Sequence, residues 1–96
     1  MYLKIHEVDG KKVVAVCDRA LLGRSFEDGE ISVEITERFY KGEIASRSEV
    51  ISVLQDAENV NLFGDMAVGC AIESGLIDEE GIIRIAGIPH AQIFVI

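Results

Sequence analysis

Apolar and polar residues alternate with a period of two at both ends of this chain and change to helical spacing in the middle. Residues 2–8 and 12–17 are apolar-rich runs on either side of Asp9-Gly10, a dipeptide that supplies the positive φ angles of a tight hairpin. In the first run Leu3, Ile5 and Glu7 share one face, and Tyr2, Lys4, His6 and Val8 share the other. Val13-Val14-Ala15-Val16-Cys17 is apolar on both faces and therefore belongs in the middle of a sheet. Asp18 is placed to cap a short turn through Arg19-Ala20-Leu21-Leu22 that Gly23 ends. Over residues 30–36, Ile31, Val33 and Ile35 point inward and Glu30, Ser32, Glu34 and Thr36 outward, the pattern of a strand with one wet face. A brief turn at Glu37-Arg38-Phe39-Tyr40 follows.

The period changes after Gly42. Ser46 and Glu49 have capping-box spacing, and Val50, Ile51, Val53, Leu54 and Ala57 recur at helical intervals. A second helix is expected from residue 62 or 65 to 74, burying Ala67, Val68, Ala71 and Ile72 and stopping at Gly75. Asp78-Glu79-Glu80-Gly81 is a solvated turn. Two strands, 82–86 and 91–96, are hinged at Gly87-Ile88-Pro89. The order predicts a single α+β domain over residues 1–96. It has a mostly antiparallel sheet, an N-terminal β-hairpin, two central helices and two C-terminal strands. The final run Ile93-Phe94-Val95-Ile96 is expected to be buried, within the sheet or against a second copy in a homodimer.

Charge narrows the range of functions. The chain has 96 residues and a net charge of −8. Residues 1–48 carry eight Lys/Arg against nine Asp/Glu, whereas residues 49–96 carry Arg84 against eight acids. Such a surface argues against nucleic acid as a tight ligand. Any anion should meet Lys11, Lys12, Arg19 and Arg24. No apolar stretch is long enough for a membrane helix, and the N-terminus lacks a signal-peptide pattern, so the expected location is the cytoplasm. Cys17 and Cys70 are then reduced thiols rather than a bridge.

Candidate chemistry concentrates near the C-terminus. In an extended segment His90 and Gln92 point the same way and could grip one ligand, or His90 could serve as a general acid or base. They could equally satisfy backbone groups where the proline interrupts the ladder. Cys17 and Asp18 stand where a central strand meets a turn, a common address for functional side chains. Asn61 either caps the second helix or donates its amide to a site. His6, Cys17, Cys70 and His90 form no chelating pair, so no metal is expected, and no cofactor motif is present. Gly64-Asp65-Met66-Ala67-Val68-Gly69 lacks the lysine of a phosphate loop, and Asp65 already occupies the positive end of the helix.

Several segments together resemble an archaeal family known as domain of unknown function 424. They are Val14-Ala15-Val16-Cys17-Asp18, Leu22-Gly23-Arg24-Ser25-Phe26, Phe39-Tyr40-Lys41-Gly42, Asn61-Leu62-Phe63-Gly64, Gly75-Leu76-Ile77 and Gly87-Ile88-Pro89-His90-Ala91-Gln92. The resemblance implies a compact archaeal protein of about this length and assigns no activity. The leading expectation is a non-catalytic binding or interaction module, accessory to translation or RNA metabolism, with a protein partner or a second copy. The alternative is a small enzyme acting on an anionic metabolite, with His90 as acid/base assisted by Cys17 or Asp18. An enzyme would converge these groups on one pocket, and a module would leave them apart and expose apolar surface.

Overall fold

The computed structural model describes residues 1–95. In chain order the strands are β1 (Tyr2–Val8), β2 (Lys11–Cys17), β3 (Ser25–Asp28), β4 (Ile31–Glu34), β5 (Glu43–Ile44), β6 (Asn59–Phe63), β7 (Ile83–Ile85) and β8 (Ile88–Phe94). The helices are α1 (Glu37–Tyr40), α2 (Arg47–Leu54) and α3 (Asp65–Glu73), with 3₁₀ turns at Arg19–Leu21 and Glu79–Gly81. Six strands form one sheet in the order β5-β1-β2-β6-β8-β7, and β3 and β4 form a separate hairpin. The architecture is α+β, and among the described residues all pairings are antiparallel except β2 with β6.

The first hairpin follows from its turn. Asp9 (φ 52°) and Gly10 (φ 76°) are both left-handed, as a two-residue turn matching the strand twist requires. β2 is central, as its two-sided apolar pattern demands. Its alternate residues feed two separate cores. Val14 and Val16, with Val60, Leu62, Ala91 and Ile93, face the underside, where Val50 and Leu54 of α2 and Ala67, Val68 and Ala71 of α3 cover them. Ala15 and Cys17, with Phe63, face the upper side beneath Leu21, Phe26, Ile35 and Tyr40. Ser46 closes the capping box of α2: its hydroxyl accepts from the Glu49 N–H (3.2 Å), and the Glu49 carboxylate accepts from the Ser46 N–H (3.0 Å). Hydrogen bonding of the Glu49 carboxylate to the Ser46 backbone N–H, and secondly to the Ser46 hydroxyl, holds the carboxyl below its ordinary range.

Several local expectations are corrected. Of the two starts expected for the second helix, residue 65 is the one found, and Asn61, Leu62 and Phe63 do not open it. They lie in β6, because Val60 and Leu62 fill the lower core while Phe63 fills the upper one, a period of two. Asn61 therefore caps nothing, and α3 begins only at Asp65. The carboxylate of Asp18 makes no cap on its own 3₁₀ turn. It accepts instead from the N–H groups of Met66 (3.1 Å) and Ala67 (2.8 Å), the first turn of α3. Gly64 lets the chain pass there: its φ is 108°, and a Cβ would run into that carboxylate.

The C-terminal hinge also lies elsewhere. Ala86 (φ 51°) and Gly87 (φ 81°) make the turn, and Pro89 already sits inside β8 opposite Arg84. A proline is tolerated because its carbonyl accepts from Gly64 N–H (2.9 Å), while the Gly64 carbonyl is taken by Val68 N–H (3.0 Å). Ile93 is buried, but Phe94 is 65% and Val95 51% exposed, and Ile96 lies outside the described residues. The C-terminal run is thus half surface, because the upper face of β8 is open at Phe94 and Val95 lies past the end of the strand. In β4, Ile31 is exposed and Ile35, just past the strand, is fully buried, since the hairpin covers the sheet only near its base. Among the described residues no helix is long and apolar enough to cross a membrane.

Candidate functional site

The strand registers arrange the upper face into rows. Tyr2, Cys17, Phe63, His90 and Ile83 stand in one row. Lys4, Ala15, Asn61 and Gln92 form the next, and His6, Val13, Asn59 and Phe94 the one beyond. The first row is roofed by the 3₁₀ turn, the β3–β4 hairpin and α1, which make up the rest of the upper core. The rows beyond are progressively more open. His90, Gln92, Asn61 and Cys17 therefore share one face, while Asp18 turns away to serve α3.

Sharing a face does not make these groups a catalytic constellation. The Phe63 ring stands between Cys17 and His90, which are two strand spacings, roughly 10 Å, apart. His90 stacks on Phe63 with centroids 4.0 Å apart, and its Nδ1–H donates to the Leu62 carbonyl (2.9 Å). Burial lowers the imidazole pKa, against the opposing effect of that hydrogen bond. Cys17 is fully buried. Its thiol is pushed up to about 11, by burial first and by the neighbouring Asp18 charge second. Tyr40, roofing the same core, is raised as well, chiefly by burial. Cys70 lies in the lower core on the other side of the sheet, and both thiols are free.

The outer rows differ from one edge to the other. At the β1 edge the polar groups are engaged: Lys4 Nζ donates to the Arg38 carbonyl (2.6 Å) and His6 Nε2–H to the Phe39 carbonyl (2.8 Å). His6 also stacks on Phe39, with centroids 4.8 Å apart. These contacts satisfy the last carbonyls of the four-residue α1 and pin it to the sheet. At the β6–β8 side, Asn59, Asn61 and Gln92 lie side by side. Among the described residues none of the three carboxamides bonds to the protein, and the Asn59 Oδ1 is buried without a partner. Phe94, opposite Asn59, extends this surface. At its end a groove of about 340 Å³ is lined by Lys11, Lys12, Glu58, Asn59, Phe94 and Val95.

The four basic residues expected to act together do not form one patch. Lys11 and Lys12 begin β2, while Arg19 and Arg24 follow its far end, a strand length of roughly 20 Å away. Arg24 lies over the Phe26 ring, 5.1 Å from its centroid. Among the described residues no three His, Cys, Asp or Glu side chains converge as metal ligands would. Asn59 and Phe94 escaped the sequence reading. Their signal was the alternation Asn59-Val60-Asn61-Leu62, two amides on one face of a strand.

The fold and this surface define a class: a small α+β protein whose sheet is covered on one side and half open on the other. The chain belongs to the family described as protein of unknown function (DUF424), whose family model matches residues 6–96. It is also similar to the crystal structure of an uncharacterized conserved protein from Methanopyrus kandleri. That match has a TM-score of 0.84 and 27% identity, and covers 99% of this chain and 90% of that one. A search of curated proteins returned no match.

Proposed function

We propose that this protein is a non-catalytic binding module, archaeal and cytoplasmic, accessory to translation or RNA metabolism. It presents the open end of its upper sheet face to a macromolecular partner. One observation carries the reading: the reactive groups are occupied within the fold, and the amides beside them are not. Asp18 holds α3, Cys17 is buried, and His90 is stacked and tied to Leu62. Asn61 and Gln92, one row further out, have hydrogen-bonding capacity to spare, and polar groups at a binding surface are matched by those of the partner.

The test compares two variants in one experiment, retention of a macromolecular species on immobilised protein. Asn61→Ala combined with Gln92→Ala should abolish retention of a species that His90→Asn still holds. Turnover of a phosphorylated metabolite by the wild type, lost in His90→Asn, would instead establish the enzyme.

A further inference from the structure

We propose that the open face binds single-stranded RNA, with a base stacked on Phe94, base edges read by Asn61 and Gln92, and phosphates meeting Lys11 and Lys12. This assignment rests on the binding-module reading and names its ligand class. Three features of the surface select it. A carboxamide offers a donor and an acceptor in one plane, the pattern that reads the edge of an unpaired base. Two of them stand on neighbouring strands, Asn61 directly opposite Gln92, and Asn59, its Oδ1 buried, lies behind them opposite Phe94. An apolar protein segment laid over the same surface would leave those amides buried without partners, which is costly.

The second feature is Phe94 itself. Its ring is 65% exposed beside the amides, a position suited to base stacking, which tolerates any sequence because every base has a π face. The third is local charge. In a chain of net −8, Lys11 and Lys12 line the groove beside Phe94 with Glu58, and Asp56 joins them in the adjoining hollow, so the end of the amide row is close to neutral where most of the second half of the chain is acidic. Two lysines give a weak, salt-sensitive electrostatic contribution, in keeping with an acidic protein that is no tight nucleic-acid binder.

Fluorescence anisotropy of a labelled mixed-sequence RNA decamer tests this. Wild-type protein should give a saturable rise at about 50 mM salt. The affinity should fall about sevenfold by about 200 mM, for two phosphates at a slope of roughly −0.7 each. Phe94→Ala should weaken binding at least about fivefold, and Lys11→Gln should flatten the salt dependence. Both positions are exposed, and far-UV circular dichroism verifies the fold of each variant. No saturable binding at low salt overturns the proposal, as does binding that Phe94→Ala leaves intact or that is lost only in Arg19→Gln with Arg24→Gln. Failure here, with partner retention still dependent on Asn61 and Gln92, removes RNA and leaves the module. Failure of both removes the module.

Discussion

Asp18 is the residue whose substitution best separates a structural from a chemical role. It follows Cys17 at the end of a central strand, an address that invites a catalytic reading, yet its carboxylate joins that strand to the start of α3. Replacing it with Ala frees the N–H groups of Met66 and Ala67. Water can reach the first, whose residue is exposed, whereas Ala67 is fully buried. Losing a charge-assisted bond to a buried donor costs about 1.5–3 kcal/mol, so Asp18→Ala should lose about 2 kcal/mol. Asp18→Asn keeps an acceptor and loses the charge facing the helix dipole, and should lose about 1 kcal/mol. For a domain of this size the Ala variant should melt roughly 8–16 °C lower. Urea titration followed by far-UV circular dichroism measures both. Gly64→Ala supplies an internal check, because its Cβ would meet the Asp18 carboxylate. The pair Asp18→Ala with Gly64→Ala should therefore cost less than the sum of the singles. A loss below about 0.5 kcal/mol in Asp18→Ala would refute the reasoning, since an N-terminal helix contact of this kind is worth more.

Two further outcomes follow from the upper core. The folded pKa of His90 lies below the ordinary 6.5, so on acidification the unfolded chain takes up this proton first. The His90 contribution to stability is complete above about pH 6.5 and is lost as pH falls towards the folded pKa. Urea midpoints measured from pH 7.5 downward should fall less steeply in His90→Asn than in wild type, and identical slopes would contradict the assignment. With its pKa near 11, Cys17 is ionised in about one molecule in ten thousand at pH 7. A thiol-specific disulfide reagent should therefore label Cys17 only after unfolding in urea, and rapid labelling of Cys17 in the native protein would show the site to be reactive.

What the sequence disclosed depended on whether the determining contact was local. The first hairpin, the central place of β2, the capping box at Ser46 and the stop at Gly75 are all written within a few residues, and all are present. β6 was hidden because Asn59 and Asn61 look like solvated residues ahead of a helix. Only their non-local parallel pairing with β2 and antiparallel pairing with β8 makes them a strand. β3 has Phe26 as its one buried residue, too little for a periodic signal. The same limit governs the site. Alternation placed His90 and Gln92 on one side of a strand, and the sheet adds Asn61 beside Gln92. No local pattern reveals that Phe63 separates Cys17 from His90, that Asp18 turns to α3, or that the length of β2 parts Lys11 and Lys12 from Arg19 and Arg24.

The central claim is that the open end of the upper face, and no other surface, meets the ligand. The most direct measurement follows the side-chain NH₂ signals of Asn61 and Gln92 in a ¹H–¹⁵N correlation spectrum during titration with the RNA decamer. The account predicts that these two pairs move in a saturable way together with the backbone amides of Lys11 and Phe94, while those of Cys17, Arg24 and His90 stay in place. Shifts centred on Arg19 and Arg24 or on His90, with the two carboxamides unmoved, would contradict it.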